Sequence, residues 1–273
     1  MIDFPALGLT APDGSIIGVI QEGGASDLPG SAGGEILSHD ALSRLDAVQK
    51  ALTVSRLVQK RRAGATVVLC THDEPLLESC ADEVWWLRDG KLIARGHPAE
   101  ILPAYRRHVA QALREAGRNR PAEIAPALRD GDGRAQLQAI ELLGADGAPA
   151  VVWRSGETAA IRVTFGYEAD VADPVIGILI RTRIGLNVYG TNTELENIHF
   201  GPMSAGDTVR VTFRFCADLC PGDYTVTAAS HDPDGVWHDW LEDAVAFAVS
   251  DDRYSAGVAN LRAQVAAEVL PRN

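Results

Sequence analysis

The sequence predicts two folded parts of different class, an α/β module followed by an all-β antiparallel sandwich. Three observations carry this. In the second half, apolar and polar residues alternate over short segments: Ile176, Ile178, Ile180 and Ile184 share one parity, Arg181 and Arg183 the other. That is the period of a half-buried strand. In the first half, short apolar runs at 15–20 and 66–70 alternate with helix-like stretches. Between them, residues 117–133 (GRNRPAEIAPALRDGDG) are rich in Pro, Gly and charge, as a linker is. The expected organisation is an α/β domain over 1–116, a linker over 117–133, a sandwich over 134–252 and a helical tail over 253–273.

With 273 residues, the chain has room for two ordinary domains, and 46% hydrophobic and 23% charged residues are globular values. The net charge of −12 is uneven. Residues 1–133 hold 15 basic and 18 acidic groups, whereas residues 134–273 hold 10 and 19, so the second part carries −9. That balance argues against nucleic acid or an anionic membrane surface as partner, since both call for clustered basic charge. The start, MIDFPALGLTAPDG, lacks the basic and apolar pattern of a secretory signal, and no apolar run approaches a membrane span. Cys70, Cys80, Cys216 and Cys220 lack metal-type pairing and read as buried thiols of a reducing cytoplasm.

Along the first part, residues 15–20 read as a buried strand leading into the glycine turn Gln21-Glu22-Gly23-Gly24-Ala25. A strand entering such a turn invites a phosphate-loop reading. Residues 41–63 are helix-like with basic residues at the C-terminal end, 66–70 and 84–87 are strands, and 99–118 recur at helical spacing.

The phrase TVVLCTHDEPLLESCADEVWWLRDGKLIARGHPAEI (66–101) resembles the end of an ABC-transporter nucleotide-binding domain. The resemblance puts His72 at the switch histidine that senses the γ-phosphate. It likens ILSHDALSRLDAVQK (36–50) to the second phosphate-site strand and its loop, with Asp46 as the loop aspartate. The departures are several. A phosphate loop needs a lysine to neutralise phosphate and a hydroxyl for Mg²⁺. Here Asp27 stands for the lysine and Leu28 for the hydroxyl, while His39 and Asp40 fall where the magnesium aspartate and the catalytic glutamate belong. About ten residues separate the degenerate loop from the ILSHDA strand. The glutamine loop, helical subdomain and LSGGQ signature of active members are missing from that interval. The expectation is a truncated pseudo-ATPase with no cofactor, in which His72 is structural.

Along the second part, Ile161 to Tyr167, Val209 to Phe215, Tyr224 to Ala228 and Val245 to Val249 repeat the alternation, separated by turns such as Pro221-Gly222-Asp223. Short alternating strands with such turns signal an antiparallel sandwich. Residues 185–193 pack amide, hydroxyl and phenol groups between two glycines. An exposed aromatic packs against the C–H face of a pyranose while amides and hydroxyls bond its OH groups. The candidate sugar site is therefore Asn187, Tyr189, Thr191, Asn192, Trp237 and Trp240, with Arg181 and Arg183 on the adjoining outward face. Trp240 reads equally as a core plug. His231, Asp232, Asp234, His238 and Asp239 suggest metal, but Asp232-Pro233-Asp234-Gly235 lacks the downstream glutamate of a calcium loop. No metal is expected, and nothing supports nucleophilic or glycosidase chemistry. Residues 253–270 read as an amphipathic helix through Val258, Leu261, Val265 and Val269.

The runs VYGTNTE, LCPGDYTVTAASHD and VWHDWLEDAVAFAV resemble the C-terminal domain of the ATP-binding subunit of O-antigen polysaccharide ABC exporters, over roughly residues 134–250. The resemblance implies an immunoglobulin-like β-sandwich that holds the non-reducing end of the exported polysaccharide and forms dimers. It further implies a non-catalytic specificity or regulatory role in the cytoplasm, at the inner face of the inner membrane. Partners would be a bacterial O-antigen-like glycan and the exporter membrane subunit or glycosyltransferases. Two alternatives stand beside it: a dimeric scaffold that does not touch sugar, and an exporter subunit with residual ATP binding.

Overall fold

The computed structural model describes residues 2–23, 35–37, 47–125, 128–253 and 255–268. Asp27, Leu28, His39, Asp40 and Asp46 lie outside these residues. The chain divides into two compact units at His108/Val109.

In the first unit the hairpin β1 (Ile2–Phe4) and β2 (Leu9–Ala11) precedes a five-stranded sheet. Its order is β4 (Glu35–Leu37), β5 (Val67–Cys70), β3 (Ile16–Glu22), β6 (Glu83–Arg88), β7 (Lys91–Gly96). The first four strands run parallel and β7 is antiparallel to β6. The central strand β3 is buried and almost wholly apolar through Ile20, as a strand covered on both faces must be. Three helices follow in this part of the chain: α1 (Ala47–Arg62), α2 (Glu74–Cys80) and α3 (Pro98–Gly117), the last of which belongs to the second unit from Val109 onward. Lys60, Arg61 and Arg62 close α1, where cations complement the helix dipole. Asp73 caps α2 by accepting from Leu76 N at 3.0 Å, and Pro75 sits in its first turn. The hairpin, α2 and β7 are too short for a periodicity signal, and sequence reading passed over them.

The second unit holds two sheets over one core. The three-stranded sheet is β14 (Thr208–Cys216), β11 (Thr158–Tyr167), β9 (Ala135–Leu143). The other is six-stranded, in the order β10 (Val152–Arg154), β16 (Trp237–Ser250), β15 (Gly222–His231), β12 (Val175–Thr182), β13 (Asn187–Asn192), with β8 (Arg129–Asp130) also pairing β16. Ile161, Val163, Phe165 and Tyr167 face Ile176, Ile178, Ile180, Val226 and Phe247 in the shared core. Trp153 fills it, its ring tilted at 45° to that of Phe247 with centroids 4.4 Å apart.

Five expectations are corrected. The sandwich is not wholly antiparallel, because β10 runs parallel to β16. The stretch read as linker is partly structured: Ala125 N donates to Ala244 O at 2.8 Å and β8 pairs β16, so its backbone uses the edge of β16. Residues 255–268 form no helix. Cys220 N donates to Val258 O and Asn260 N to Asp218 O, which commits that backbone to strand-like pairing, and Arg262 is left-handed. Ile184 is not core, because β12 ends at Thr182 and the turn leaves Ile184 90% exposed. Cys216 is an exposed thiol at the end of β14; Cys80 and Cys220 are buried, and burial pushes the Cys70 thiol up to about 11.

Candidate functional site

The register of the six-stranded sheet decides which side chains share its outer face. Opposite Gly177 lie Asn192 on β13 and Ala229 on β15, and Ala229 in turn faces Trp240 on β16. Leu179 faces Gly190 and Thr227 by the same rule, and His231 faces Trp237. Neither Gly177, Leu179 nor Ala229 is among the residues of the shared core. They lie on the parity opposite Ile176, Ile178 and Ile180, which face inward. The result is an open depression of about 200 Å³ with a floor of Gly177, Gly190 and Ala229 and walls of Trp237, Trp240, Leu179, Leu195, Asn192 and His231.

The floor is flat because two of its residues are glycine and the third carries only a methyl group. A Cβ on Gly177 would sit 3.1 Å from Asn192 Cβ, and one on Gly190 would sit 3.2 Å from Leu179 Cδ1. Any larger residue there pushes a neighbour or fills the space. The walls are fixed by contacts among themselves. Trp237 packs edge-to-face on Trp240 at 4.6 Å and on His231 at 4.8 Å between centroids. His231 Nδ1 donates to the Asp232 carbonyl at 2.7 Å, so the neutral ring carries its free lone pair on Nε2. Asn192 Oδ1 accepts from Leu195 N at 2.7 Å. None of the described residues lining the depression is Asp, Glu, Lys or Arg.

Of the residues expected at the sugar site, Trp237, Trp240, Asn192 and Thr191 border this depression. Trp240 is half-buried on the outer face and is no core plug. Thr191 is itself buried, and its hydroxyl donates to Glu196 at 2.7 Å. Tyr189 is not brought there. It pairs with Ile180, so it shares the inner parity, and its ring lies 6.3 Å from Phe215. Arg181 is on the outer face but is bound to Glu242, with Asp243 at 3.7 Å. Asn187 is exposed opposite Arg181, and exposed Arg183 lies in the turn beyond β12; neither borders the depression. Sequence reading missed Gly177, Leu179, Ala229 and Leu195. The signal available was parity, which puts 177 and 179 opposite Ile176 and Ile178.

Beneath this face runs a buried polar chain. Tyr167 Oη lies 3.2 Å from Ser230 Oγ, which lies 3.1 Å from His238 Nδ1, and His238 Nε2 is 3.0 Å from Asp232 Oδ1. Arg134 then bridges Asp232 at 2.6 Å and Asp132 at 2.7 Å. Hydroxyl, imidazole and carboxylate follow one another, yet Ser230 and His238 are both 0% exposed. The hydroxyl meets Nδ1 rather than Nε2, the reverse of a catalytic triad. This chain positions the 231–238 segment. Burial opposes ionisation of Asp232, but hydrogen bonds from Arg134 and His238 outweigh it and hold the carboxyl below its ordinary value. Burial pushes the Tyr167 phenol up to about 12, so it keeps its proton. Asp239 serves elsewhere, accepting from Leu137 N at 2.7 Å and pairing with Arg129 at 3.0 Å. No group of three or more His, Cys, Asp or Glu among the described residues could hold a metal ion.

In the first unit, His72 Nδ1 lies 3.0 Å from Tyr105 Oη on α3. Glu22, at the end of β3, pairs with Arg88 at 2.9 Å and lies 3.4 Å from His108.

Fold and site together define a β-sandwich domain with an aromatic-walled depression on the outer face of its larger sheet. Residues 126–261 match the family model of the Wzt C-terminal domain. The solved C-terminal domain of Wzt superposes with a TM-score of 0.50 at 24% identity, covering 55% of this chain and 93% of that one. The chain is also 23% identical over 189 residues to the O-antigen export system ATP-binding protein RfbB of Myxococcus xanthus, covering 65% of this chain. It spans 43% of the length of that relative. No helix among the described residues is long and apolar enough to cross a membrane.

Proposed function

We propose that the second unit binds the terminal sugars of a bacterial surface polysaccharide of O-antigen type, without catalysis, as a specificity or regulatory component of its export or assembly. The observation that carries this reading is the pair Trp237 and Trp240 beside a floor of Gly177, Gly190 and Ala229. Such a pair offers apolar area to the C–H face of a pyranose. The match to the Wzt C-terminal domain and the likeness to an O-antigen export protein support the polysaccharide context. A bacterial glycan array probed with the full chain tests it. Binding to a surface glycan is expected, and silence across the array favours the scaffold reading.

The first unit is read as a shortened relative of an ABC nucleotide-binding domain that neither binds nor hydrolyses ATP. Its parallel strands β4, β5, β3 and β6 support the kinship, and Asp27 in the lysine position opposes phosphate. The protein would then act as a homodimer beside an exporter membrane subunit or glycosyltransferases. Strand β13 ends its sheet, and an open edge is commonly covered or paired.

A further inference from the structure

We infer that the depression takes a single neutral sugar residue with a methyl in place of a hydroxyl, the 6-deoxyhexose class, and turns away anionic sugars. This rests on the glycan reading above and narrows it.

Size sets the first limit. About 200 Å³ falls below the roughly 300 Å³ at which sites for drug-sized ligands begin, so the depression itself seats one ring and the rest of a glycan lies outside it. Chemistry sets the second. The floor of Gly177, Gly190 and Ala229 and the wall of Leu179 and Leu195 present carbon. Backbone groups of Gly177 and Ala229 beneath lie in strands bonded on both sides, β12 between β13 and β15 and β15 between β12 and β16, so that part of the floor supplies no new partners. The Thr227 hydroxyl is buried and accepts from Asp243 N at 3.0 Å. A sugar hydroxyl turned onto this surface loses water and finds no partner there, whereas a methyl group loses nothing. Polar groups stand at the rim instead. Asn192 offers its Nδ2 donors and His231 an acceptor at Nε2, which suits the remaining ring hydroxyls.

Charge sets the third limit. No Lys or Arg lines the depression, and the nearby guanidinium of Arg181 is tied to Glu242 and Asp243. With 19 acidic against 10 basic residues over 134–273, the surrounding field repels a phosphate or uronate.

The test uses the full chain and sugars that differ only at C6. Methyl α-L-fucoside is compared with methyl α-L-galactoside, methyl α-L-rhamnoside with methyl α-L-mannoside, and D-glucuronic acid serves as the anion, each titrated by saturation-transfer NMR. A 6-deoxy sugar is expected to bind at least tenfold more tightly than its hydroxylated partner. An apolar pocket rejects an added hydroxyl by no more than roughly a hundredfold, which bounds the effect. Leu179→Asn is expected to erase the preference. Equal affinity within both pairs, or tightest binding by the uronate, overturns the inference and leaves the glycan reading standing. No binding by any sugar, together with a silent glycan array, removes both.

Discussion

Trp237 and Trp240 meet edge to face, their centroids 4.6 Å apart, although three positions separate them along one strand. Strict alternation would send them to opposite faces of the sheet. The register of β16 against β15 shifts between Ser230 and His231, which brings both indoles to the outer side. Trp240→Ala removes the wall against which Trp237 leans. It is expected to weaken glycan binding by ~1–3 kcal/mol, the range for losing a packed aromatic anchor. Isothermal titration with a glycan found on the array measures this.

Acid stability should report the Arg134–Asp232 pair. The folded carboxyl of Asp232 titrates below its ordinary value near 3.9. Its contribution is therefore complete above that ordinary value and is lost as pH falls through the depressed folded value. Arg134→Ala is expected to lower Tm at pH 7, with the gap from wild type narrowing towards pH 3. A gap that stays constant over that range argues that the pair contributes nothing through charge.

Opposite parities of β12 should separate stability from binding. Ile178 is buried in the sandwich core, and Ile178→Ala should cost ~2–5 kcal/mol of stability through the cavity left behind. Leu179, one residue on, lies on the outer face, and Leu179→Asn should leave urea unfolding nearly unchanged. Equal destabilisation by both substitutions would contradict the assigned faces.

Nucleotide binding is expected to be absent. Calorimetry with Mg-ATP should give no heat if, as proposed above, Asp27 stands in place of the lysine that would neutralise phosphate. Micromolar affinity would overturn the reading of the first unit.

The layers of the fold were legible where period and length were strong. The alternation at 161–167, 176–180 and 209–215 marked strands facing one core, and the runs at 15–20 and 66–70 marked the parallel sheet. The candidate site was legible only in part. Trp237 and Asn192 were found as residue types that suit sugars, but Tyr189, still exposed, falls on the other parity through its register with Ile180, and Arg181 was taken by Glu242. Pairing partners and bulges decide such facts, and neither is written in one strand's own alternation. The tail failed for a related reason. Val258, Leu261 and Val265 recur at helical spacing, yet the backbone at 258–260 pairs with residues 218–220, and a tertiary contact overrides the local period.

The central claim is that the outer face walled by Trp237 holds a glycan. The most direct measurement is the affinity of the full chain and of Trp237→Ala for one array-positive glycan, with melting curves recorded alongside. Trp237 is 37% exposed, so its truncation should leave Tm within a few degrees while affinity falls ~10-fold or more. Unchanged affinity in a folded Trp237→Ala protein would contradict the account.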